Sequence, residues 1–259
     1  MGLSDRTLKA DLGSGPRIGI FHGMRDVQAA ALLARAGWKM VLIDTEHVAI
    51  GPETLHTLVL AVRAWGMAAV IRLRDSERST VQTALETGAD GILAPMCESV
   101  TDAERFVQFA RFPPQGSRGF HGMTAASSYG SDDPATYVRR ANAEVLIGVQ
   151  IETLRGLEAC ETIARVPGLD LVFTGTGDLS VQMGRPGIGD DPELRAAVGR
   201  VCDAAEDARI MSGLYSSRES MIQFGLERGA RFLACGSDTS LFLKASLRQY
   251  ETFAALARR

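Results

Sequence analysis

Lysine is nearly absent from this 259-residue chain, occurring only at Lys9, Lys39 and Lys244. None of the three stands at the centre of an apolar run that reads as a strand, so a Schiff-base mechanism has no candidate nucleophile. The four cysteines, Cys97, Cys160, Cys202 and Cys235, form no C-x-x-C pair. Zinc-site and redox-motif readings are therefore weak, and buried free thiols in a reducing cytoplasm are expected. Basic residues are not in surplus: the net charge is −3. Neither nucleic acid nor an anionic membrane is the expected main partner. No apolar stretch is long enough to span a bilayer. The first residues hold no apolar h-region, which predicts no secretory leader, and Gly2 is not followed by Ser or Thr where a myristoylation pattern places it. Low-complexity and linker-like segments are also missing, so one domain over 1–259 is expected.

What is present is a regular alternation. Short apolar runs at 17–21, 40–43, 68–72, 91–94, 145–151, 169–173, 210–213 and 232–235 read as strands. Between them lie helical stretches at 27–35, 52–64, 77–87, 100–111, 154–165, 192–208 and 218–227, with a last one at 241–256. Pro52 suits a first helical turn, and Gly37, Gly66, Gly88, Gly168 and Gly229 stand where helices end. Eight strands, each followed by a helix, favour an α/β fold of the (β/α)₈ TIM-barrel type over an open sheet. One interval, 112–130, is too long, rich in Pro and Gly, and without a period. It comes between the fourth strand and a helical stretch at 134–142, and is expected to overhang the barrel mouth.

Carboxylates stand at the ends of these runs. Glu152 ends the fifth, and Asp178 follows the sixth after a Thr-Gly-Thr-Gly turn. On neighbouring parallel strands both reach one C-terminal mouth, where two oxygen ligands with open positions suit a Mg²⁺-like ion. The second run delivers Asp44-Thr45-Glu46-His47, a histidine flanked by carboxylates. Each residue also has a duller reading. His47 could be a loop residue hydrogen-bonded to Asp44, Arg72 could form a structural ion pair, and Glu152 and Asp178 could serve helix N-termini. His56 reads as a surface residue, whereas His22 and His121 could face substrate or simply be exposed.

Six segments together resemble one family. Ile43-Asp44-Thr45-Glu46-His47, Val70-Ile71-Arg72, Leu93-Ala94-Pro95-Met96, Phe112-Pro113-Pro114-Gln115-Gly116-Ser117-Arg118-Gly119, Val149-Gln150-Ile151-Glu152-Thr153 and Gly175-Thr176-Gly177-Asp178-Leu179-Ser180 are similar to the HpcH/HpaI aldolases, in the right order. The resemblance implies a metal-dependent pyruvate aldolase that cleaves 4-hydroxy-2-oxo acids to pyruvate and an aldehyde. It implies Glu152 and Asp178 as ligands of Mg²⁺, Mn²⁺ or Co²⁺, and His47 as acid/base through a bound water. It further implies Arg72 at the keto oxygen, Asp44 as its acidic neighbour and Gln150 lining the pocket. Backbone amides of Gly175, Thr176 and Gly177 would hold the substrate carboxylate. Glu86 falls where relatives carry an aspartate that reaches a neighbouring subunit's histidine. A homo-hexamer with an exchanged last helix is implied as well. Where relatives often read Gly-Pro-Ala-Asp-Leu, this chain has Gly175-Thr176-Gly177-Asp178-Leu179, a looser loop. Rival readings are other enolate chemistry on the same site (oxaloacetate decarboxylation, decarboxylating addition or a CoA-ester lyase), a silent metabolite-binding barrel and a phosphate-binding isomerase.

Overall fold

Eight parallel strands form the centre of the protein, in a computed structural model that describes residues 7–187 and 190–258. They are β1 (Arg17–His22), β2 (Met40–Asp44), β3 (Ala68–Arg72), β4 (Gly91–Ala94), β5 (Leu146–Ile151), β6 (Leu171–Thr174), β7 (Met211–Tyr215) and β8 (Phe232–Ser237). Each pairs with the next, and β8 closes on β1. The expected (β/α)₈ barrel is the one observed, with strand boundaries shifted by at most two residues from the apolar runs. Among the described residues, no helix is long and apolar enough to cross a membrane.

The helices are α1 (Leu8–Ser14), α2 (Val27–Arg35), α3 (Pro52–Ala64), α4 (Arg78–Glu86), α5 (Val100–Ala110), α6 (Pro134–Glu144), α7 (Leu154–Glu158), α8 (Cys160–Ala164), α9 (Thr176–Gln182), α10 (Pro192–Ala208), α11 (Glu219–Glu227) and α12 (Asp238–Ala257). Side chains of Asp26, Ser99, Asp133 and Asp191 accept first-turn N–H groups and so fix where four of them start. The five glycines expected to end helices all have φ between 73° and 102°, a region closed to most side chains. The stretch 154–165 is not one helix. Ala159, at φ −98° and ψ 1°, divides it into α7 and α8. Two helices escaped the sequence pattern, α1 and α9; each is only seven residues long, too short for a clear period.

Strand side chains alternate between two layers. Met40, Leu42, Val70, Leu93, Leu146, Leu171, Phe173 and Phe232 point inward and fill the barrel. Val41, Ile43, Ala69, Ile71, Ile147, Val149 and Ile151 point outward against the helices. Leu8 and Leu12 of α1 join the inner layer and plug its N-terminal end. Near that end the buried Arg111 donates to the carbonyls of Asn142 (2.8 Å), Val145 (3.0 Å) and Gly168 (3.0 Å) and to Asp170 Oδ2 (2.6 Å). It thereby ties the end of α5 to the approaches of β5 and β6.

The 112–130 segment does not overhang the mouth. It leaves the end of α5 rather than of β4, and helices in this fold run back from the mouth. Ser117 donates to and Gly116 packs on the last turns of α5, Arg78 of α4 donates to the Ser117 carbonyl, and Arg140 of α6 donates to the Ala126 carbonyl. The segment is thus held at the side of the barrel, near its N-terminal end.

Arg111→Met removes from this buried clamp the guanidinium that Asp170 holds beside Lys9 (2.6 Å), and takes the donor away from the carbonyls of Asn142, Val145 and Gly168. It is expected to destabilise the fold by about 3–5 kcal/mol, seen as a lower Tm in thermal denaturation. A melt indistinguishable from the parent would refute the clamp.

Candidate active site

The two-residue alternation of the strands decides which polar side chains enter the mouth. Counting two on from Leu42 gives Asp44, from Val70 gives Arg72, and from Gly148 gives Gln150 and then Glu152. Asp44 and Arg72 lie opposite one another in the β2–β3 register. On β1, Phe21 points inward, so its neighbour His22 must point outward. The inward set meets at the C-terminal mouth in a cavity of about 280 Å³, together with His47, Gly175, Gly177, Asp178, Tyr215, Ser237 and Thr239. Its location matches where this fold carries its active sites.

Arg72 and Asp44 form a bidentate pair. Nε donates to Oδ1 at 3.1 Å and Nη2 to Oδ2 at 2.7 Å, and both residues are buried. The guanidinium lies 4.4 Å from the centre of the Phe21 ring, which supports it from below. Its remaining nitrogen, Nη1, is 3.4 Å from Glu46 Oε2. Asp44 Oδ1 also accepts the N–H groups of Glu46 (3.1 Å) and His47 (3.2 Å). One carboxylate therefore orients the arginine and folds the loop that presents Glu46 and His47.

Glu152 is only 1% exposed. Met96 N–H donates to Oε1 at 2.7 Å, and the Gln150 amide donates to Oε2 at 2.5 Å. A methyl group on Gly175 would lie 2.4 Å from Oε2, so glycine is required where β6 ends beside it. Burial pushes the Glu152 carboxyl up to about 7; the Met96 and Gln150 contacts oppose this, and Glu46 and Asp178 add to it. Burial likewise pushes Glu46 up to about 7, against Arg72 and with Asp178 and Asp44. Asp178, in the first turn of α9, is about half exposed, and its Oδ2 lies 3.9 Å from His47 Nε2.

Three carboxylates, Glu46, Glu152 and Asp178, thus crowd the mouth beside one guanidinium, which Asp44 holds and which, of the three, only Glu46 approaches. A hard divalent cation fits this donor set, since it would stabilise the ionised form of carboxyls that burial, and to a lesser degree their neighbours' charge, push up. Among the described residues no three His, Cys, Asp or Glu side chains form a closed metal cage. A cation here would take two carboxylates and leave positions open to substrate.

Of the residues singled out in the sequence, His47, Asp44, Arg72, Gln150, Glu152, Gly175, Gly177 and Asp178 come together here. Thr176 borders the site, but its hydroxyl donates to the Tyr215 carbonyl at 2.6 Å. The Gly175 N–H is also engaged, donating to the Ile151 carbonyl at 3.1 Å. The first-turn amides of Thr176 and Gly177 remain for a ligand. Glu86 lies elsewhere in the chain, at the end of α4 on the outer ring, where it accepts from Gln82 at 3.0 Å. His22 does not face substrate: it is buried and its Nδ1 lies 2.5 Å from Asp238 Oδ2. His121 lies in the side segment and accepts the Met123 N–H at 3.1 Å, and His56 is on the outer helix α3. Glu46, Phe21, Tyr215, Ser237 and Thr239 were not singled out. Strand parity would have found Phe21, and Glu46 stood between two chosen neighbours.

The HpcH/HpaI aldolase/citrate lyase profile matches residues 17–245. The chain belongs to that family. It is 33% identical over 248 residues to a hydroxypyruvate/pyruvate aldolase of Sagittula stellata, covering 95% of this chain and 97% of that one. It is 32% identical over 254 residues to a 4-hydroxy-2-oxo-heptane-1,7-dioate aldolase of Shigella sonnei, covering 98% and 97%. A family protein from Burkholderia cenocepacia superposes with a TM-score of 0.88 at 30% identity, covering 95% of this chain and 98% of that one. This family member is a class II aldolase, a carbon–carbon lyase. The silent-barrel and isomerase readings fall away, and citrate-lyase-like chemistry, though present in the family, is not favoured.

Asp238 opens α12 behind the cavity wall. Burial disfavours its ionised form, yet the His22 contact and the N–H groups of Gly23 and Met24 prevail and hold its pKa below the ordinary carboxylate range. A carboxyl depressed on folding contributes stability above its unfolded pKa, and that contribution is lost as pH falls through the folded value. Asp238→Asn is therefore expected to lower Tm most near neutrality, with the deficit shrinking as the solution is acidified below the ordinary carboxylate range. A deficit independent of pH would show that ionised Asp238 contributes nothing.

Proposed function

We propose that this aldolase cleaves a 4-hydroxy-2-oxo acid to pyruvate and an aldehyde, and runs the reverse addition, with a divalent cation held by Glu152 and Asp178. The observation that carries the reading is the convergence of these two carboxylates with the Arg72 guanidinium in one cavity at the barrel mouth. The names of the two aldolases quoted above support the substrate class. When bound, Mg²⁺, Mn²⁺ or Co²⁺ would neutralise the carboxylates and polarise the keto oxygen.

The chain's own residues supply the rest. The amides of Thr176 and Gly177 receive the substrate carboxylate. His47, 54% exposed on its side chain, takes the proton of the 4-hydroxyl directly or through a water. The C3–C4 bond then breaks, its electron pair moves toward the keto oxygen as an enolate, and the aldehyde departs. Arg72, held rigid by Asp44 and Phe21, stabilises the developing negative charge without having to reorganise. Returning a proton to C3 gives pyruvate. Gln150 fixes the Glu152 oxygen that faces Gly175. Glu86, on the outer ring away from this cavity, would act on a neighbouring copy.

The chain works as one barrel domain in a homo-oligomer, a hexamer by the family resemblance, in the cytoplasm. The four cysteines are free, in keeping with a reducing compartment. On α12 the apolar residues Leu241, Phe242, Leu243, Leu247, Tyr250, Phe253 and Leu256 are exposed, and Asp238 alone is buried among the described residues of that helix. A second copy of the chain would cover this face.

The metal-stripped protein is expected to exchange the C3 protons of pyruvate into D₂O only after Mg²⁺ or Mn²⁺ is restored, followed by NMR of the methyl signal. Arg72→Ala is expected to slow that exchange about 10²–10³-fold. Exchange without metal, or at the parent rate in the variant, would refute these roles. Light scattering after size-exclusion is expected to give a six-chain mass, and a monomer would overturn the assembly.

A further inference from the structure

The aldolase reading gives tasks to the side chains from β2, β3, β5 and β6 and to Phe21 of β1, and leaves the hydroxyls at the end of β8 without one. Strand order in the closed barrel sets β1 and β8 across from β5 and β4. From that side Gly23, Ser237 and Thr239 line the same cavity as Arg72 and Glu152. With the oxo-acid fragment held at the cation and the α9 amides, the aldehyde fragment extends toward β1 and β8. We propose that the Ser237–Thr239 hydroxyl pair is the acceptor subsite, and that it selects a neutral aldehyde carrying a hydroxyl beside its carbonyl. The inference rests on the aldolase reading and adds the acceptor class to it.

Proton counting supports the choice. The two hydroxyl oxygens are 3.1 Å apart, and Ser237 Oγ also accepts the Ser240 N–H at 3.3 Å. Two hydroxyls hold two protons, and one of these lies between them. Whichever residue donates, one O–H and at least one lone pair remain for a ligand. An alcohol group both donates and accepts, and so completes the pair. A methyl group in its place would displace water from the pair without replacing its hydrogen bonds.

Charge excludes the other alternative, an aldehyde bearing a carboxylate or phosphate. The first-turn N–H of Thr239 is taken by Asp238 Oδ1 at 2.7 Å, so the start of α12 is closed as an anion site. Asp238 itself is a buried carboxylate just behind the wall, fixed by His22 on the outward face of β1. The guanidinium lining this cavity, Arg72, is committed to Asp44. A second anionic group would meet the field of Asp238, and the lining of this cavity offers it no guanidinium or ammonium besides Arg72.

The test compares kcat/KM for addition of pyruvate to glycolaldehyde, propanal and succinic semialdehyde, which carry respectively a hydroxyl, an isosteric methyl and a carboxylate. The parent is expected to favour glycolaldehyde over each of the others by about tenfold or more. Thr239→Val leaves the Ser237 helix cap in place and is expected to reduce the glycolaldehyde-to-propanal ratio about tenfold. Ser237→Ala should do the same, and Ser237→Thr, which keeps the hydroxyl, should restore the ratio. An unchanged ratio in Thr239→Val, or a parent that prefers propanal or the semialdehyde, would overturn the inference. Pyruvate proton exchange in the parent separates the two levels: its absence would overturn the aldolase reading instead.

Discussion

Everything at the mouth of this protein depends on the two-sided geometry of a closed parallel barrel. Along each strand successive side chains point to opposite faces. Once Leu42, Val70 and Gly148 are committed to the interior, Asp44, Arg72, Gln150 and Glu152 have no other direction to take. Closure adds the second condition. It brings β2, β3, β5 and β6 around one axis, so groups separated by more than a hundred residues in sequence stand a few ångströms apart. A one-residue slip in any strand would send its functional side chain into the apolar layer beneath the helices.

The second constraint is charge. Asp44, Glu46, Glu152 and Asp178 gather where the cavity lining offers one guanidinium, and two of the four carboxyls are pushed up to about 7, first by burial and then by their neighbours' charge. Such crowding is costly unless a cation offsets it. Rigid hydrogen bonds from Met96, Gln150 and Arg72 hold the carboxylates in place despite their repulsion. The same electrostatic field shapes the acceptor side, where hydroxyls rather than cations face the ligand.

Much of this was legible in the chain itself. Apolar runs bounded by glycines and caps gave eight strands and most helices, because long amphipathic segments have a definite period. Strand-end residues in the order Asp44, His47, Arg72, Glu152 and Asp178 were legible too, since an active site on this fold collects such positions. The seven-residue α1 and α9 were not, for want of length. Nor was the break at Ala159, since no proline or glycine stands at the junction of α7 and α8 itself.

The sequence by itself determined the barrel, its strand parity and the chemical types gathered at its mouth. These follow from local periodicity, which each segment carries independently of the rest. The tertiary structure alone decided the pairings between distant segments. It set the Arg72–Asp44 fork, turned His22 away from substrate onto Asp238, and laid the 112–130 segment along the side of the barrel instead of over its mouth. It also joined Ser237 and Thr239 to the cavity. Such pairings depend on which faces meet when β8 closes on β1, and no single stretch of chain contains that information.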